Sequence, residues 1–117
     1  HLIRYAEVLL IYAEAVFEKN ESISDADLNL SINVIRDRAG MPHLTNAFAA
    51  THGLDMRTEI RRERTIELAL EGFRYDDLRR WKTAETELAQ DIKGIKIKGS
   101  AWQSYPEQNR CGWLFDH

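Results

Sequence analysis

Glu59, Glu63 and Glu67 recur every four residues in the segment Met56 to Glu71. At 100° per residue they fall in the same arc as Met56, Ile60, Ile66, Leu70 and Phe73. Three carboxylates on an apolar face need either a task or partners. The task would be general acid/base chemistry by a carboxylate whose pKa burial has raised, or metal ligation. The alternative is an internal ion-pair network in which Arg74, Arg79 or Arg80 of the next segment turns back onto Glu63 and Glu67. Arginine is abundant beside these acids, and its planar fork suits bidentate pairing, so the network is the stronger expectation.

Other chemistries find no footing. A di-iron site needs Glu-x-x-His on two helices, and none of His1, His43, His52 or His117 lies three residues after a Glu. There is no Gly-x-Ser-x-Gly elbow, no phosphate-cradling glycine loop and no His-Glu-x-x-His zinc helix. His43 and His52 sit in an expected loop, where a histidine is ordinarily solvated. Cys111 is the only cysteine, which excludes an intrachain disulfide and a thiolate metal cluster. No catalytic residue, metal site or cofactor is therefore expected. Trp102, Tyr105 and Trp113 are the candidate ligand contacts, because an aromatic face can stack on the C–H face of a sugar. The competing role for these rings is to anchor the tail on its own domain.

The elements that must carry these residues are helical. The 117 residues are 44% hydrophobic and 30% charged, the composition of one globular domain. Residues 57 to 82 hold eight basic against six acidic groups, a local excess of two, but the signs interleave as helix-surface pairs do, and nucleic acid is not an expected partner. Helices are predicted at about 2–19, 24–39, 56–71 and 76–90, followed by a largely irregular tail over 91–117. In the first, Arg4, Glu7, Glu14 and Glu18 share a stripe with Ile11 and nearly everything else is apolar, so water should reach one narrow strip only. Ser24 and Asp55 are N-cap candidates, Gly40 with Pro42 and then Gly72 mark helix ends, and Asp76 with Asp77 opens the fourth helix. Its core stripe should be Leu78, Trp81, Leu88 and Ile92. One helical turn is expected at Ala47 to Ala50, and Ile95 to Lys98 alternates as a short strand would. The fold class is all-α, two helical hairpins of tetratricopeptide-like plan. The longest apolar run, Val8 to Ala13, is far shorter than the ~20 residues that cross a bilayer.

Three ordered blocks carry a resemblance. Leu2 to Ala15, the run Asn33-Val34-Ile35-Arg36-Asp37-Arg38-Ala39-Gly40, and Ile60 to Gly72 continuing into Arg74 and Asp77-Leu78-Arg79-Arg80-Trp81 look like the C-terminal region of SusD/RagB proteins. That resemblance implies a piece of a longer lipoprotein, held by a lipid at the surface of a Gram-negative outer membrane. It implies binding of an oligosaccharide or other nutrient, a SusC-like TonB-dependent transporter as partner, and no enzymatic activity. This segment would serve mainly as scaffold. Two other classes compete: a tetratricopeptide-like adaptor that binds a protein partner, and a small hydrolase or metalloenzyme built on Glu63 and Glu67. A helix so nearly apolar as the first also predicts self-association of the excised chain.

Overall fold

The computed structural model describes residues 3–89. Among them the structure is all-α, with seven helices and no strand. The chain divides into two compact units, 1–76 and 77–117.

The first unit is built around α1 (Tyr5–Asn20), α2 (Asp25–Leu30), α3 (Ile32–Arg38), α4 (Asn46–Thr51) and α5 (Met56–Glu67). Helix α1 packs on α2, α3 and α5. Leu9, Leu10, Ala13 and Phe17, spaced three and four apart, supply its inner face and meet Leu28, Ile32, Ile35, Leu44, Ile60 and Leu68 in one apolar cluster. Ser24 caps α2 by accepting from the Asp27 N–H at 3.1 Å, and its hydroxyl donates to the Asp27 carboxylate at 2.6 Å. Asp55 caps α5, accepting from both the N–H and the hydroxyl of Thr58.

Helix α3 stops in a Schellman turn. The Met41 N–H reaches the Arg36 carbonyl at 2.9 Å and the Gly40 N–H reaches that of Asp37, with Gly40 left-handed at φ 66°. The loop beyond is pinned from inside by Asn33. Its amide accepts from the Leu44 N–H at 2.7 Å and donates to the Leu44 carbonyl at 3.0 Å, so buried Leu44 has both backbone groups satisfied by one side chain. Thr45 then caps α4, which occupies the position of the expected helical turn.

The structure departs from the sequence pattern at three places. The second predicted helix is two, broken at Ser31, whose hydroxyl donates back to the Asp27 carbonyl at 2.6 Å while its backbone leaves helical angles. The third ends at Glu67 rather than near Glu71: Leu70 takes the left-handed turn at φ 64° and Gly72 a second one at φ 87°. Leu68 is thereby turned into the core, while Ile66 and Leu70, expected on the apolar arc, face water. The fourth begins at Arg74 as α6 (Arg74–Arg80) and breaks where Lys82, at φ 58°, closes a Schellman turn, with Thr83 N–H on the Leu78 carbonyl and Lys82 N–H on that of Arg79. A single further turn, α7 (Ala84–Glu87), follows. Of the stripe expected there, Leu78 is buried, Trp81 is half-buried beneath the Arg80 guanidinium at 5.3 Å, and Leu88 is exposed, because the break at Lys82 ends the helical phase that would have aligned them. Ile92 and the Ile95 to Lys98 alternation lie outside the described residues.

Candidate functional site

The inner face of α5 carries the charged groups singled out from the sequence. Glu59 and Glu63 are buried, and the Glu67 carboxylate is nearly so. Each has arginine on it. Arg36, itself buried on α3, grips one oxygen of Glu63 through Nε at 3.1 Å and Nη2 at 2.9 Å, and spends Nη1 on the Pro42 carbonyl at 3.2 Å. Glu67 receives Arg4 on one oxygen at 3.1 Å and Arg38 on the other at 2.6 Å. Arg4 extends the cluster with two bonds to Glu71, at 3.1 and 2.7 Å, and one to the Glu67 backbone carbonyl at 3.0 Å. The hydrogen bonds it donates to Glu71 first, then to Glu67, raise the Arg4 pKa above its ordinary value, and its charge is permanent at any working pH. Glu59 has Arg62 one turn away at 3.5 Å.

The arginines that meet Glu63 and Glu67 thus come from upstream, from α3 and from the residue that opens α1. Arg74 donates to the Thr65 hydroxyl at 2.8 Å, Arg80 pairs with Asp77 at 2.9 Å, and Arg79 lies in the last turn of α6. Arg36 carried a signal that could have been used. It stands four residues after Ile32 and next to Ile35, on the core side of its helix, and a core-side arginine on one helix calls for a core-side acid on another.

A second charged seam runs along α1. The stripe of Arg4, Glu7, Glu14 and Glu18, expected to be its wet strip, is turned toward α5 at both ends: Arg4 binds Glu67 and Glu71, and Glu18 binds Arg57 at 3.0 Å and Arg61 at 3.5 Å. Glu14 is buried between them along the helix. Arg57 also lies over the Phe17 ring, 5.3 Å from its centre, so this pairing and the apolar core share side chains.

The Glu67 carboxylate has an arginine on each oxygen and Glu63 has Arg36 on one, so these acids join α5 to α3 and to the start of α1. His43 pairs with Asp37 at 2.6 Å, and His52 lies against the Phe48 ring with centroids 4.3 Å apart. Among the described residues no group of three or more His, Cys, Asp or Glu is placed to hold a metal ion. No helix there is long and apolar enough to cross a membrane. Cys111 and the aromatic candidates Trp102, Tyr105 and Trp113 lie outside the described residues.

Among the described residues the chain is of one class, an all-helical framework whose inward-facing charges tie helices together. The comparison of families gives that class a name: the model of the SusD family matches residues 1–110, and the chain belongs to that family. The family is one of nutrient- and glycan-binding proteins, typically associated with the cell surface. A search of curated proteins gives no match, nor does one of solved structures.

Proposed function

We propose that this chain is the scaffold portion of a surface nutrient-binding lipoprotein. The whole protein would be anchored by lipid in the outer membrane and would deliver glycan or another nutrient to a SusC-like TonB-dependent transporter. Its helices would form the tetratricopeptide-like hairpins that hold the binding face and the transporter-facing surface in place, without catalysis. The observation that carries this reading is family membership over residues 1–110, joined by arginines on both oxygens of Glu67 and on one oxygen of Glu63.

The test is a glycan panel read by calorimetry on the full-length protein and on this chain alone. The full-length protein should bind at least one oligosaccharide, and the 117-residue chain should bind it far more weakly or not at all. Release of reducing ends by either protein would overturn the non-enzymatic reading. Co-purification of the full-length protein with a TonB-dependent barrel from detergent-solubilised outer membranes is the expected result for the transporter step.

A further inference from the structure

Helix α5 stops one turn before its helix-forming sequence does. Glu67 to Glu71 reads Glu-Leu-Ala-Leu-Glu, all strong helix formers, and the acceptor that would carry the helix on is the Glu67 carbonyl, to which the Glu71 N–H would donate. In the structure that carbonyl accepts from Nη2 of Arg4 instead, at 3.0 Å. The same guanidinium holds the Glu67 carboxylate at 3.1 Å and both oxygens of the Glu71 carboxylate at 3.1 and 2.7 Å. The Glu71 N–H is left to a tighter turn, on the Leu68 carbonyl at 3.2 Å. One side chain thus fills the acceptor that the helix needs and pins the residue that would use it.

The turn made this way is strained where it bends. Leu70 adopts φ 64° with its side chain fully exposed, so a left-handed L residue has no burial to offset it, and helical angles would relieve it. On the other side of the balance stands Phe73. It packs at the edge of the apolar cluster with the Arg64 guanidinium 5.5 Å from its ring centre. The sequence also holds a stop for the longer helix: with α5 continued to Glu71, Gly72, already left-handed at φ 87°, takes the C′ position. Phe73 would then lie over Leu68, one turn or about 5.4 Å farther along the axis than Arg64. The two arrangements exclude each other.

We propose that residues 68–73 form a two-state helix end, latched in its turned form by Arg4, and that this latch couples the first turn of α1 to the length of α5. Arg4 is the residue that opens α1, held in an extended conformation at φ −98° and ψ 151°, so its reach to Glu67 and Glu71 depends on where α1 begins. Displacing the start of α1 withdraws the guanidinium and returns the Glu67 carbonyl to the Glu71 N–H. Helix α5 then runs on to Gly72, with Leu70 in helical angles and Phe73 off Arg64. Arg38, on the other oxygen of Glu67 at 2.6 Å, keeps that carboxylate in place, so the change is confined to the turn. The latch is independent of the nutrient-binding reading and stands or falls without it.

Nuclear magnetic resonance on the 117-residue chain reads both forms. A strong intraresidue NOE between the Leu70 amide and α protons marks its positive φ, NOEs between Arg64 and Phe73 mark the turned form, and wild type should show both. Arg4→Met should lose both sets while the methyl shifts of fully buried Leu10 and Leu28 stay in place, which separates release of the turn from unfolding. Glu71→Ala is a second route to the same result: it removes the outer half of the latch at an exposed position, keeps helix propensity, and should weaken the same NOEs. Adding Leu70→Gly to Arg4→Met should bring the Arg64–Phe73 NOEs back, because glycine suits the left-handed turn and disfavours the helix. Substitutions at Arg4 and Glu71 that leave the Leu70 NOE at full strength would overturn the proposal. So would random-coil shifts over 68–72 in place of helical ones, or a double variant that stays released.

Discussion

Glu63 and Arg36 show how burial sets the worth of an ion pair. Their side chains are 11% and 9% exposed, while Glu18 and Arg57, joined at 3.0 Å, are each 41% exposed. Replacing Arg36 by Met strips the guanidinium from a buried carboxylate and should cost about 3 kcal/mol, whereas Arg57→Met should cost under about 1 kcal/mol. Adding Glu63→Leu to Arg36→Met should restore most of the loss, because the cost lies in the orphaned charge rather than in the missing bond. Urea midpoints of the four proteins check this; equal losses for Arg36→Met and Arg57→Met would show that burial is not the deciding term. Asp55 works through its protonation state. Bonds from the Thr58 hydroxyl, then the Thr58 N–H, hold its carboxyl below the ordinary aspartate value. A depressed folded pKa gives stability that is complete above the unfolded value of about 3.9 and is lost as pH falls through the folded one. The stability advantage of wild type over Asp55→Asn should therefore be full at pH 7 and shrink toward zero as the medium is acidified below about pH 4. An advantage that grew on acidification would reverse the sign. At this scale the acids were legible in the sequence, because three glutamates at fourfold spacing on an apolar arc have few explanations. Their partners were not. Proximity in the chain favoured Arg74, Arg79 and Arg80, and only the packing of α3 and the start of α1 against α5 brings Arg36, Arg38 and Arg4 to them.

The turns between helices are where stability has been left unclaimed. Leu70 is left-handed at φ 64° and 105% exposed, so its side chain contributes no burial while its Cβ strains the backbone. Leu70→Gly should raise the urea midpoint by an amount equivalent to about 0.5–1 kcal/mol, the relief of strain exceeding the added entropy of the unfolded chain. A lower midpoint would mean that Leu70 has a contact in the folded protein that its exposure does not reveal. The same reasoning explains which helix ends could be read from sequence. Gly40 with Pro42, Ser24 and Asp55 announce themselves by residue type, and the structure uses them as caps or turns. Leu70 and Lys82 give no such sign. Both lie where a left-handed residue is ordinarily glycine, so helix periodicity runs on through them and predicts third and fourth helices longer than those the structure shows. Ser31 belongs with these, since serine breaks a helix only when its hydroxyl finds a backbone carbonyl, as it does at Asp27.

For the whole molecule, the sequence carried the class and the family, and the structure assigns the parts. Helical periodicity was strong enough to give an all-α fold, and the ordered blocks from Leu2 to Trp81 carried the family resemblance, because both depend on patterns spread over many residues. Which face of α1 is wet depended on something else: a charged stripe looks solvated until a second helix with opposite charges is laid along it. The division into units has a testable consequence. Among the described residues, every member of the apolar cluster lies between Leu9 and Leu68, with Phe73 packed at its edge, so this core falls within the first unit, 1–76. A chain ending at Asp76 should therefore keep α1 to α5 and unfold in one cooperative transition in urea. Chains of this size retain only about 3–5 kcal/mol from a single core. Loss of the Arg36–Glu63 pair, at about 3 kcal/mol, should then take most of that stability, so Arg36→Met in the 1–76 chain should be largely unfolded at 37 °C while its unsubstituted parent is folded. Circular dichroism against temperature on the two chains decides it. A broad, non-cooperative melt of the parent would show that the core of the first unit is not self-sufficient.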